Sequence, residues 1–156
     1  MTANLTLAAR VISEGFLPAR SALLQGPREP MCGPLAPSRI RGMLLGLAIG
    51  DALGNTSESL PVLERETRYG EIRDYLPNRR AAGHRVGLPS DDSQLAFWTL
   101  ESLLECRGLD PDDLSARFAA REIFGIGKSM QQFLHNREQG MASWYHYGAE
   151  SAGNGA

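Results

Sequence analysis

Gly42, Gly46, Gly50 and Gly54 recur one every four residues through a stretch whose apolar side chains, Ile40, Met43, Leu44, Leu47 and Ala48, are spaced by three and four. That spacing predicts a helix, with Ser38 as its N-cap. Each interior glycine costs a helix about 1 kcal/mol relative to alanine, so a whole stripe of them calls for compensation. Close approach of another backbone, with the helix buried on several sides, would supply it. Asp51 falls on or beside the apolar face, and Glu58 follows soon after the last glycine. A buried carboxylate has to be hydrogen-bonded, paired or metal-bound. The residues alone leave open whether Asp51 caps a neighbouring helix or serves a site.

The second constraint is the run Gly87-Leu-Pro-Ser-Asp-Asp-Ser-Gln94, where Asp91 and Asp92 stand between the hydroxyls of Ser90 and Ser93. An apolar run, Leu95 to Leu104, follows, so these oxygens gather at a predicted helix start. Hard oxygens suit Mg2+, Ca2+ or Mn2+, whereas zinc or copper would call for imidazole or thiolate. The alternative needs no metal: Ser90 is an ordinary N-cap, and acids in a first turn complement the helix dipole.

Composition narrows the partners. A net charge of -2 gives no electrostatic case for nucleic acid or an anionic membrane. The longest apolar candidate, Met43 to Leu53, contains Asp51 and falls short of the roughly 18 to 20 residues of a membrane span. Cys32 and Cys106 lie far apart with no histidine at metal spacing, so a reducing, cytoplasmic setting is the default. With 156 residues, the chain is long enough for one domain with a real core.

Residues 1–36 read as a disordered or weakly structured extension: a weakly amphipathic piece from Leu5 to Leu17, then Gly26-Pro27, Pro30, Gly33-Pro34 and Pro37. Leu60 to Arg68 suits a short helix, and Pro77 to Pro89, with Arg79, Arg80, His84 and Arg85, a basic loop that is either a solvated face or a phosphate contact. A helix from about Asp92 to Cys106 takes Leu95, Trp98, Leu100, Leu103 and Leu104 into the core. Asp110-Pro111-Asp112-Asp113 is a helix start: cap, proline at the first position and first-turn acids. A last helix runs from about Lys128 to Asn136. Before it, Gly125-Ile126-Gly127 offers free N–H groups to an anion. The closing stretch from Ser143 to Ala156 suits either a wall and floor for a nucleotide-like ligand or a loose tail. No strand alternation is evident, so the fold class is all-helical.

Four stretches in order resemble the ADP-ribosylglycohydrolase family: Arg41 to Gly54 with Glu58, Ser90 to Leu95, Gly125 to Met130, and Ser151 to Ala156. The resemblance implies that residues 37–156 are the N-terminal part of an all-α domain, cut short before its second half. It implies a two-ion magnesium centre, with manganese as a substitute, that removes ADP-ribose from a modified protein side chain or a related small molecule. It implies Ser90, Asp91 and Asp92 as metal ligands, Glu58 and Asp91 as catalytic groups, and Gly125, Gly127, Ser129, Gly153, Asn154 and Gly155 against ADP-ribose. The family's second half carries a further acidic motif, and none follows Asp113 here. The expectation is therefore a fragment, a truncated product or one part of a split protein, with a separate chain supplying the missing half. A hydrolase impaired by its shortness and a non-catalytic ADP-ribose-binding remnant are the competing readings.

Overall fold

The computed structural model describes residues 2–16 and 36–151. Among these, six α-helices carry the fold: α1 (Thr2–Ser13), α2 (Pro37–Gly54), α3 (Val62–Tyr69), α4 (Asp91–Glu105), α5 (Pro111–Ala120) and α6 (Lys128–Glu138). Among the described residues there is no strand, only one antiparallel bridge between Pro77 and Arg85. The all-helical expectation holds.

Two starting points show the local chemistry. α5 begins where its sequence says it should: Asp110 accepts from the main-chain N–H groups of Asp112 and Asp113, both at 3.1 Å, and Pro111 takes the first helical position. α2 begins slightly earlier than expected. Its N-cap is Ala36, not Ser38, because Pro37 at the first position lacks an N–H that would need a partner.

α4 and α5 form the best-packed pair. Trp98 of α4 is buried and meets Phe118 of α5 at 6.4 Å between ring centroids. Ser102 Oγ donates to Asp113 Oδ2 at 2.6 Å, and Arg117 bonds both Asp113, at 2.6 Å, and Glu105, at 2.5 Å. Arg121 bonds Glu101 at 2.9 Å and lies over the Trp98 ring.

α2 departs from expectation. Only Ala52 is buried on it, while Met43 and Leu45 stand 64% and 62% exposed. A Cβ placed on Gly42, Gly46, Gly50 or Gly54 would meet nothing within 4 Å, so no backbone crosses the glycine stripe among the described residues. Within those residues the helix is held at its C-terminal end, where it touches α4. Among the described residues, the buried apolar side chains are Val11, Ala52, Leu76, Trp98 and Ile123, a thin core.

The extension read over residues 1–36 is not wholly irregular. α1 lies within it, Val11 is buried, and Phe16 packs on Tyr145 and His146 at ring distances of 5.0 and 5.1 Å. The aromatic closing stretch is thereby occupied: Tyr145 also donates to Glu14 at 3.1 Å.

Candidate active site at the meeting of two helix ends

The site grows from one carboxylate. Asp51, in the last turn of α2, accepts from the main-chain N–H of Ser90 at 2.7 Å and of Ser93 at 3.2 Å, from Ser90 Oγ at 2.7 Å and from Asn55 Nδ2 at 3.1 Å. Ser90 occupies the N-cap position of α4, but its side chain makes no capping bond. Asp51 from another helix does that work, satisfying N–H groups that a helix start leaves without partners. Burial by itself would raise the Asp51 pKa. Hydrogen bonds from Ser90, Ser93 and Asn55 outweigh it and hold the group below its ordinary value. The sequence left Asp51 between a structural cap and a site residue; geometrically it is the cap.

Asn55 continues the join, donating to the Leu88 carbonyl at 2.8 Å. The chain then turns through Ser57, which is almost wholly buried, and brings Glu58 to the rim of a cavity of about 120 Å3. Its lining includes Asn55, Glu58, Arg80, Ser90, Phe124 and Gly125. Partial burial first, then the charges of Asp91, Asp92 and Asp51, push the Glu58 pKa above the usual carboxylate value. Asp91 is also raised, by burial foremost and by Asp92, while hydrogen bonds from its own main chain, Ser90 and Gly127 pull the other way. Four acids from two helices and a loop therefore share one electrostatic field.

The glycine loop closes the cavity. Gly125 adopts φ +79°, open to few residues other than glycine, and a Cβ there would stand 3.1 Å from Asp91 Oδ1 and 3.2 Å from Ser90 Cβ. Gln94, one turn into α4, fixes this loop: its Oε1 accepts from the Phe124 N–H at 2.7 Å, and its Nε2 donates to the Glu122 carbonyl at 3.1 Å.

Of the residues expected at the site, Glu58, Ser90 and Gly125 line one cavity, with Asp91 directly beside Gly125. Asp92 belongs to the same charged group. Gly127 is the N-cap of α6, and a Cβ added to it would meet nothing within 4 Å. Ser129 lines a second, more open hollow with Lys128, Gln132, Asn136 and residues 148–151. Gly153, Asn154 and Gly155 lie outside the described residues. Ser93 is 1% exposed and faces inward, so its hydroxyl does not join the displayed oxygens. Asn55, Asn78 and Phe124 were not expected, and Arg80 was expected only as part of a basic loop. Gln94 had one sequence signal, its place one turn after the paired acids.

The donor set of Ser90, Asp91 and Asp92 fits a hard divalent cation in kind, and the raised Asp91 marks a spot where a cation would be welcome. Among the described residues, no three His, Cys, Asp or Glu side chains converge closely enough to hold an ion by themselves.

A helical domain that seats a carboxylate pair at a helix start, beside a glutamate and a left-handed glycine, defines the kind of protein. The chain belongs to the ADP-ribosylglycohydrolase family, whose model matches residues 34–156. It is 33% identical over 107 residues to an uncharacterized protein of Archaeoglobus fulgidus, covering 66% of this chain and 35% of that one. It is 29% identical over 130 residues to the ADP-ribosyl-[dinitrogen reductase] glycohydrolase of Rhodospirillum rubrum, covering 81% of this chain and 44% of that one. With the Escherichia coli protein YegU it shares 37% identity over 79 residues, which is 47% of this chain and 24% of that protein. The chain thus matches less than half the length of each of these relatives. No helix among the described residues is long and apolar enough to cross a membrane.

Proposed function

We propose that this chain carries the acidic half of a magnesium-dependent site that hydrolyses the glycosidic bond between ADP-ribose and a modified protein side chain or a related acceptor. The observation behind this reading is the field that Asp91 and Asp92 exert on Glu58, which lines a cavity together with Ser90 and Gly125. Cleavage at the anomeric carbon of ribose builds positive charge, which surrounding carboxylates stabilise. Glu58, raised above its usual pKa, suits a group that holds or moves a proton at the glycosidic oxygen or nitrogen. Ser90, Asp91 and Asp92 would hold Mg2+ or Mn2+. When bound, the metal supplies a water of lowered pKa. Gly125, Gly127 and Ser129, with Gly153, Asn154 and Gly155, are the proposed contacts to ADP-ribose, through main-chain donors that need no large basic patch.

The remaining ligands would come from the rest of the family's domain, in a separate polypeptide or a longer chain. A reducing, cytoplasmic setting is proposed from the sparse cysteines of the sequence.

The test is release of ADP-ribose from an ADP-ribosylated protein in Mg2+, with the remainder of the domain supplied. Glu58→Gln and Asp91→Asn are each expected to lower the rate by roughly a hundredfold or more. Full activity in both would remove the assignment. Calorimetry with ADP-ribose separates the second reading, a binding remnant: heat indifferent to Mg2+, with no turnover, would favour it.

A further inference from the structure

The turn that faces Glu58 across the cavity is unusually well built for a loop. Asn78, 7% exposed, accepts the Arg80 N–H on its side chain at 2.8 Å. Its carbonyl accepts from Ala81 at 3.1 Å and Gly83 at 2.9 Å, and its own N–H donates to the His84 carbonyl at 3.0 Å. Ala82 sits at φ +52° and Gly83 at φ +82°, both left-handed. For alanine that conformation is strained and persists only where the surroundings impose it. Asn78 Nδ2 reaches the Thr56 hydroxyl at 3.5 Å, tying the turn to the segment that carries Glu58.

This frame presents Arg79 and Arg80 in the cavity lining, with both residues exposed overall. The Arg80 guanidinium lies over the Phe124 ring, 5.5 Å from its centroid, which holds the side chain without using its hydrogen-bonding edge. Among the described residues, neither arginine makes an ion pair. Nor do they offset Glu58, whose pKa is raised by burial and three acids with no basic group opposing. Two charged forks therefore stand at an acidic cavity, directed at something else.

The cavity itself, at about 120 Å3, is well below the roughly 300 to 1,000 Å3 of a site that encloses a whole ligand. Among the described residues it has room for part of a ligand only. The exposed arginines stand at its mouth.

Resting on the proposed function, we infer that Arg79 and Arg80 are specificity-determining residues that select acceptor segments with acidic side chains flanking the ADP-ribosylated residue. A tenfold preference corresponds to about 1.4 kcal/mol, within what two exposed charge pairs contribute.

The experiment measures binding of fluorescently labelled ADP-ribosylated peptides with Asp and Glu flanks, and of the same peptides with Asn and Gln flanks, beside free ADP-ribose. The full chain and the double variant R79Q/R80Q are compared at two salt concentrations, with circular dichroism confirming the helix content of the variant. The expected result is a roughly tenfold preference for the acidic peptide, falling to near parity in the variant and shrinking in higher salt. No preference in the unaltered chain, with free ADP-ribose still bound, overturns this inference and leaves the broader function standing. Weaker binding of all three probes with the preference kept assigns the arginines to the diphosphate and also overturns it. If none of the probes binds even with the remainder of the family's domain supplied, the broader function fails and the inference with it.

Discussion

The α4–α5 pair and α2 are both rich in apolar residues at helical spacing, yet they sit in opposite circumstances. α4 and α5 cover each other with Trp98 and Phe118 and lace their edges with Ser102, Asp113, Arg117 and Glu105. α2 has apolar residues all round and a stripe of glycines, but among the described residues only its last turn is joined to the site, through Asp51 and the adjoining Asn55. The site lies where the well-packed pair meets the exposed helix. Asp91 and Asp92 are consequently fixed from the α4 side, while α2 contributes the polar anchors Asp51 and Asn55.

The sharpest way to break this contrast is within the well-packed pair. Trp98→Ala is expected to cost about 3 to 5 kcal/mol, measured by urea unfolding, because a buried ring leaves a cavity that serine-lined helices cannot fill. A cost below about 1 kcal/mol would mean that α4 and α5 are no better packed than α2. Next is the anchor. Asp51→Ala leaves the Ser90 and Ser93 N–H groups without their acceptor and is expected to cost about 2 to 3 kcal/mol. The same change should loosen Ser90 and weaken any response to Mg2+. An unaltered unfolding midpoint would show that α2 and α4 are joined by something other than this carboxylate.

Gly125→Ala comes third. Its left-handed φ alone costs about 1 kcal/mol, and the new methyl presses on Asp91 and Ser90. Stability should fall modestly while ligand binding falls much further, because Asp91 has to move. Equal, small effects on both would separate the glycine loop from the acids.

Acid gives a subtler comparison. Arg117 first, then Ser102, hold the Asp113 carboxyl at about 2. A lowered folded value means its stabilisation is complete above the unfolded value of about 3.9 and is lost as pH falls through about 2. Nuclear magnetic resonance titration of the Asp113 carboxyl should therefore give a midpoint near 2. A midpoint near 4 would mean that Arg117 does not engage it in solution.

These contrasts also mark how far the sequence could be read. Helix positions were legible because spacing and caps are local: α5 starts on Asp110-Pro111, and α4 starts within a residue of expectation. The acid pair, Glu58 and Gly125 were legible as a group through resemblance and proved to be neighbours. The meeting of Asn78, Arg80 and Phe124 was not, because it depends on a left-handed turn at Ala82 and on the Gln94 clamp, which no periodicity reports. The glycine stripe is a different case. It signals close approach, but nothing in the local pattern says which segment approaches.

The smallest effect is the most discriminating for that last point. Leu45→Ser, on the open face of α2, is expected to change stability by no more than about 0.5 kcal/mol in this chain, since the side chain is already mostly in water. Gly46→Leu should stabilise this chain by up to about 1 kcal/mol, because it removes a glycine from a helix interior where an added Cβ meets nothing within 4 Å. Supplied with the remainder of the family's domain, both should turn costly, reducing the association and the ADP-ribose release that depends on it by tenfold or more. A glycine stripe is tolerated at about 1 kcal/mol per residue only where a backbone lies against it. If both variants assemble and turn over as the unaltered chain does, the stripe has some other origin and α2 is not the face on which the domain is completed.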